Sequence, residues 1–225
     1  VAIADAVVDG NIGVFSQGNL TGSYSAGGDI SLSSAANIDA SVNAAGGFLT
    51  LMLLARFYMQ WQRISFRNQI GQFVVTTTDW LVRPLRRFVP GVFGLDMASL
   101  LPAWVVQVLM VAIELSLHGA VFSGNVGAVL VGLWGVGLIE LMRMIVYLVI
   151  AVVLGSAVLS WFGPQAPLAP LLHALAAPFL RPFRRIVPSI ANVDLSPLVL
   201  LLVLQIVLMV LGGVRNNFAP LLFGA

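Results

Sequence analysis

Four long apolar stretches, separated by arginine-bearing segments, set the frame of this 225-residue chain. A membrane-spanning helix needs about 20 predominantly apolar residues. The first stretch, about 44–61, begins weakly at Asn43-Ala44-Ala45-Gly46-Gly47 and can recruit residues from 38 onward. It ends among Tyr58 and Trp61, side chains that favour the headgroup level, with Arg56 placed to snorkel toward the interface. The second is 97–117. The third region, 126–162, is long, and Glu140 and Arg143 interrupt it. Reading it as two spans leaves only four residues for a turn and reverses everything downstream. The better reading is a glycine-rich half-buried helix, 126–142, running into a span at about 144–162. The fourth span covers about 195–211.

The connections have a different period. In the first, Ile70, Phe73, Val74, Thr77, Leu81, Leu85 and Phe88 recur at helical spacing, with Asp79 and several arginines elsewhere on the wheel. In the second, Leu168, Leu171, Leu172, Leu175, Phe179, Phe183 and Ile186 do the same. One apolar face and one basic face describe an amphipathic helix lying in the membrane interface. Pro84 is expected to end or kink the first near Val82.

Both connections close on one motif. Arg83-Pro84-Leu85-Arg86-Arg87 leads through Val89-Pro90 to Asp96, and Arg181-Pro182-Phe183-Arg184-Arg185 leads through Val187-Pro188 to Asp194. The spacing is the same, and a span follows each time. Gln107 and Gln205 fall at matching places, and Trp161 closes its span as Trp61 closes the first. A long motif repeated at a fixed offset is an internal duplication. The organisation predicted is a polar leader (1–43), a first repeat (44–117), a linker with the glycine-rich helix (118–143), a second repeat (144–215) and a short tail (216–225).

Composition agrees with a membrane protein. The chain is 59% hydrophobic and 9% charged, with mean hydropathy +0.99, against about 25% charged residues in soluble domains. All eleven basic residues are arginine, and eight of them (63, 67, 83, 86, 87, 181, 184 and 185) lie in the two connections. Positive-inside logic places both connections in the cytoplasm and, with four spans, both termini outside. The repeats then share one orientation, related by an axis along the membrane normal. The leader has four Asp and no basic residue. Its recurring Gly-Asn and Gly-Asp turns, with alternation in Asp29-Ile30-Ser31-Leu32-Ser33, leave two readings open: rungs of a β-repeat, or a low-complexity or foreign segment without structure. Residues 1–20 lack the basic and apolar regions of a signal peptide. The absence of cysteine excludes disulfides and thiolate metal sites, and a net charge of +2 gives no footprint for nucleic acid.

The duplicated motif, together with Thr78-Asp79-Trp80-Leu81-Val82 before it and Asp194-Leu195-Ser196-Pro197 after it, resembles the YggT (YlmG) family over about residues 46–215. These are small bacterial and plastid membrane proteins with one or two copies of the repeat. The resemblance implies an inner-membrane protein. Family members are linked to osmotic or ion-stress tolerance, to cell division and nucleoid or plastid distribution, and in plastids to haem attachment on a cytochrome. It supplies no catalytic residues. The first copy departs from the second at Asp96-Met97-Ala98-Ser99.

Candidate chemistry is confined to a few groups. Arg83, Arg86, Arg87, Arg181, Arg184 and Arg185 suit anionic headgroups or an acidic partner, because the guanidinium fork is bidentate and permanently charged. Asp96 and Asp194 each stand just before a span, where an aspartate caps a helix and favours its dipole; each can also pair with the arginines of its own repeat. Glu140 and Arg143 are spaced to neutralise each other on one helix face, and Glu114 is expected at the watery end of its span. Gln107 and Gln205 are expected to make interhelical hydrogen bonds; with Glu114 they are also the only candidates for an ion path. His118 and His173 have no partner at metal-ligand spacing. Ser99, Ser156 and Ser160 read as small packing residues, and the glycines at 127, 132, 135 and 137 as points of close helix approach.

The sequence therefore predicts an all-α membrane protein with four transmembrane helices in two parallel repeats and two cytoplasmic amphipathic helices. The function expected is a non-enzymatic scaffold or assembly factor, without metal or cofactor, that meets anionic lipid, a membrane-protein partner or a second copy. The alternative is an ion channel or transporter component.

Overall fold

The computed structural model describes residues 6–8, 12–16, 24–26, 30–89, 96–117, 126–162, 166–186 and 194–223. Six helices carry the fold: α1 (Ala35–Trp61), α2 (Gln69–Leu85), α3 (Met97–Leu117), α4 (Val126–Phe162), α5 (Ala169–Ile186) and α6 (Ser196–Phe223). α1, α3, α4 and α6 are long and apolar enough to cross a membrane. The linker 118–125 and the Val-Pro turns of both motifs lie outside the described residues.

Four short strands precede the helices: β1 (Ala6–Val8), β2 (Ile12–Ser16), β3 (Tyr24–Ala26) and β4 (Ile30–Ser34). β1 pairs in parallel with β3, Ala6 opposite Tyr24, and β2 with β4, Ile12 opposite Ile30. Both registers are 18 residues apart, as rungs of a repeat stack, so a leader wholly without structure does not describe these segments. α1 then starts at Ala35, earlier than the predicted 44, because Ala35 to Ala45 are helix-compatible once Gly46 and Gly47 sit inside a longer helix.

Two other boundaries move. α6 runs on to Phe223 instead of ending near 211, which carries Arg215 into the helix. α4 is one continuous helix of 37 residues, about 55 Å long at 1.5 Å per residue against a hydrocarbon core of about 30 Å. The expected glycine-rich segment, 126–142, and the expected span, 144–162, are thus parts of a single helix, with Glu140 and Arg143 at their junction.

α1 packs on α3 and α4 on α6 within the repeats, and α3 lies along α4 between them. Gly137 permits the α3–α4 approach, since a Cβ there meets Val108 at 2.5 Å from its side chain and 3.1 Å from its Cα. Gly135 similarly faces Phe218 of α6. One cluster joins the repeats through Tyr58, Met59, Val149, Val153, Leu175 and Leu200. Tyr58 adds a polar tie, its hydroxyl donating to the Leu175 carbonyl at 2.6 Å.

α1 ends in a reverse turn. The Ile64 amide reaches back to the Met59 carbonyl at 2.9 Å, and Arg63 takes φ 54°, the left-handed position that usually holds glycine in this helix stop. Asn68 then caps α2, its side chain accepting from the Gly71 amide at 2.7 Å. Between them these devices fold α2 back over α1. The buried face of α2 is Gly71, Val74, Thr78 and Val82. Phe73 and Phe88, expected on that face, are 54% and 84% exposed, and Trp80 joins them at 66%. The face was misassigned because apolar residues lie on both sides of the helix, one toward the bundle and one away from it. Pro84 does not end α2, which continues to Leu85.

Candidate functional site

The duplicated motif builds the same clamp twice. Arg86 donates Nη2 to Asp96 Oδ2 at 2.7 Å, and Arg184 donates Nε to Asp194 Oδ2 at 2.7 Å. Each arginine stands at or just past the end of an interfacial helix, and each aspartate at the foot of the next span. The ion pair thus fixes the angle between α2 and α3, and between α5 and α6. Capping accompanies it. Asp194 Oδ1 accepts from the Ser196 amide at 2.9 Å, and the Ser99 hydroxyl donates to Asp96 Oδ2 at 2.7 Å. Where the second copy keeps Asp-Leu-Ser-Pro, the first therefore uses Ser99 instead. Burial works to raise the Asp194 carboxyl, but the Ser196 and Arg184 hydrogen bonds outweigh it and hold the group below the usual carboxylate range.

The remaining arginines of the motif face outward. Arg83, Arg87, Arg181 and Arg185 are exposed, and Arg83 and Arg87 share their surface with Trp80 and Phe88. The six arginines thus divide into two that lock the hinge and four that present charge.

A second polar assembly lies at the far end of the bundle. Arg143 donates to Glu140 at 2.9 Å. Arg215 reaches Glu114 at 3.1 Å and, through Nε, Glu140 at 3.0 Å. α3, α4 and α6 are joined there by two carboxylates and two guanidiniums of zero net charge. Glu114, Glu140 and Arg215 lie about 25, 31 and 28 Å along their helices from Met97, Trp161 and Ser196, close to the opposite edge of a 30 Å core. Beside the cluster is a cavity of about 230 Å³ lined in part by Gln107, Met110 and Asn43. Glu114 is therefore held by an ion pair rather than by water alone, and Arg215, beyond the expected end of the fourth span, completes the network.

Gln107 is buried and donates to Thr50 Oγ1 of α1 at 3.0 Å, the interhelical bond expected. Gln205 makes no such bond among the described residues: it is exposed on α6, whose apolar segment is only 6% buried. The two glutamines and Glu114 accordingly do not line one path. Sequence reasoning also missed the role of Arg56. It is 5% exposed and donates to Thr78 Oγ1 and Asp79 Oδ1, both at 2.9 Å. His173 meets Ser156 Oγ through Nδ1 at 2.7 Å, so Ser156 is more than a packing residue. Among the described residues no three His, Asp or Glu converge as metal ligands do.

Four apolar helices, a tandem repeat and a clamp in each copy define a duplicated α-helical membrane protein. A CCB3/YggT family profile matches residues 38–117 and 136–215, and the chain belongs to that family. "Uncharacterized protein YggT" of Escherichia coli K12 is 36% identical over 176 residues, 76% of this chain and 89% of the relative. "Uncharacterized protein PA0392" of Pseudomonas aeruginosa is 33% identical over 178 residues, 78% and 87% respectively. "Uncharacterized protein in proC 3'region" of Vibrio alginolyticus is 34% identical over 168 residues, 73% and 87%. No solved structure matches.

Proposed function

We propose that the protein is a non-enzymatic scaffold of the bacterial inner membrane that docks anionic lipid, or an acidic partner, on two arginine-ended helices at the cytoplasmic leaflet. The observation that carries this reading is the division of labour within the motif. Arg86 and Arg184 are each tied to a hinge aspartate, whereas Arg83, Arg87, Arg181 and Arg185 make no ion pair among the described residues and stand exposed at matching places in both copies. Hinge arginines alone would serve topology; a second, exposed pair in each copy is surplus to it. A rigid membrane base holding two basic patches at a fixed separation suits assembly of a complex, with cell division or membrane-complex assembly as the setting. Ion conduction under osmotic stress is the weaker reading, since Gln205 is exposed on α6 and does not line the cavity that Gln107 and Glu114 share.

Each exposed basic residue near an anionic surface contributes about 1 kcal/mol, so four supply up to about 4 kcal/mol. In nanodiscs, amide exchange in α2 and α5 is expected to be slower in phosphatidylglycerol than in phosphatidylcholine. Changing Arg83, Arg87, Arg181 and Arg185 to Gln removes that difference while the spans stay protected. An undiminished difference in the variant defeats the lipid-docking role.

A further inference from the structure

The two repeats are not equally filled. Trp61 lies 22 residues before Arg83, and Trp161 lies 20 before Arg181, so α1 matches α4 at an offset of 100 residues while the later elements match at 98. On that register Arg56, Phe57 and Gln60 of the first copy become Ser156, Ala157 and Ser160 of the second. Two of the three do structural work in the first copy. Arg56 spans to Thr78 and Asp79, and the Gln60 side chain accepts through Oε1 a further bond from Arg86 Nη2 at 2.8 Å. All three replacements are smaller, and the space they vacate remains open: a groove of about 520 Å³ lies between α4, α5 and α6. That volume falls within the usual range of ligand sites, about 300–1,000 Å³.

The groove is graded from polar to apolar. Arg184 and Asp194 form one polar edge, Ser160 lies on the α4 wall, and His173 lines the groove about 16 Å along α5 from Arg184. Arg184 spends Nε on Asp194 and, among the described residues, has no counterpart of the Gln60 brace. Leu201 lies about 7 Å deeper along α6 and Leu154 about 9 Å deeper along α4, and both line the groove. Val158 and Leu198, on the same wall, are 50% and 63% exposed, so the groove opens sideways to the bilayer. Arg181 and Arg185 flank its polar end on α5, which leaves the end net positive despite Asp194.

From this we infer that the second repeat holds one anionic phospholipid, its headgroup phosphate at Arg184 and the upper part of an acyl chain along Leu154, Val158, Leu198 and Leu201. The guanidinium is suited to the phosphate because its terminal nitrogens present a fork. Ser160 adds a hydroxyl to the lining and His173 an imidazole whose Nδ1 meets Ser156, and the apolar wall favours a chain over water. In the first repeat, among the described residues, Gln60 braces Arg86 and Arg56 is tied to Thr78 and Asp79 where the second copy has small residues. The site differs from the docking surface in its phosphate ligand, Arg184, and shares with it only the positive charge of Arg181 and Arg185.

Native mass spectrometry of the full chain, released from detergent micelles with palmitoyl-oleoyl phosphatidylglycerol or phosphatidylcholine added, tests it. One phosphatidylglycerol per chain is expected to be retained about tenfold more tightly than phosphatidylcholine. Ala157→Phe with Ser160→Gln, which installs the first-copy residues, is expected to abolish that single retained lipid. Ser160→Gln alone, on an exposed position, gives the same readout if the bulkier variant fails to fold. Neither change alters charge, so phosphatidylglycerol-dependent exchange of α2 and α5 should persist in both, which separates failure here from failure of docking. Retention unchanged in the variants, phosphatidylcholine held as tightly, or displacement by millimolar inorganic phosphate would overturn the assignment.

Discussion

Replacing Arg215 with Gln is expected to lower stability by about 2 kcal/mol, less than the cost of breaking a fully buried ion pair because Arg215 and Glu114 are each 36% exposed. The four-charge cluster of Glu114, Glu140, Arg143 and Arg215 is neutral as built, and removing Arg215 leaves a net charge of −1 near the edge of the hydrocarbon. Arg215 also ties α6 to both carboxylates, through Nη2 to Glu114 and Nε to Glu140. Arg215→Lys keeps the charge but offers a single point where a fork is needed, so it should recover part of the loss. Glu114→Gln combined with Arg215→Gln restores neutrality and should recover more than half. Thermal unfolding in detergent, followed by loss of the monodisperse peak, orders the variants. Equal stability of Arg215→Gln and the unmodified protein would mean that water, not the ion pairs, satisfies these groups.

The second large effect is at Asp79. Its partner Arg56 has a side chain only 6% exposed, while Asp79 is 38% exposed. Asp79→Ala therefore leaves a guanidinium buried in a span with only Thr78 to meet it, since Arg56 Nε already lacks an acceptor. The expected cost is about 3 kcal/mol, at the lower end of the range for an uncompensated buried charge because Asp79 is partly solvated. Removing both charges, Arg56→Met with Asp79→Ala, should restore most of that stability, because a well-packed apolar replacement of an ion pair is often neutral or better. The chain carries its own precedent: the second copy places Ser156, Ala176 and Ala177 at these positions and still folds α5 against α4. A double variant no more stable than Asp79→Ala would show that Arg56 acts through its packing and not its charge.

The frame of the molecule was readable because it rests on simple periodicities. Apolar runs of spanning length and the motif at a constant spacing were enough to place α3 at 97–117, to put amphipathic helices in both connections and to pair the repeats. Contacts that depend on where helices meet were not readable. Arg56 looked like a snorkelling residue because Tyr58 and Trp61 sit beside it; that α2 folds back to deliver Thr78 and Asp79 depends on the turn at Arg63 and the cap at Asn68. Arg215 follows a Gly-Gly pair and precedes two asparagines, which suggested a helix end. The charge balance held the better signal, since Glu114, Glu140 and Arg143 sum to −1 and call for one more cation. Gln205 occupies the sequence position of Gln107, but its helix has no neighbour on that side in the described chain. A duplication preserves sequence position and not environment. The same divergence opened the groove of the second repeat.

The clamp account requires that both motifs lie at the same membrane face. The chain contains no cysteine, so single cysteines can be introduced at Arg87 and Arg185, and at Ser116 near the other end of α3, and labelled with an impermeant maleimide in spheroplasts and in inverted vesicles. Labelling of positions 87 and 185 only from the cytoplasmic face, with 116 labelled only from the opposite face, is the result predicted. Labelling of 87 and 185 from opposite faces would contradict parallel repeats and, with them, the pairing of two arginine-ended helices on one leaflet.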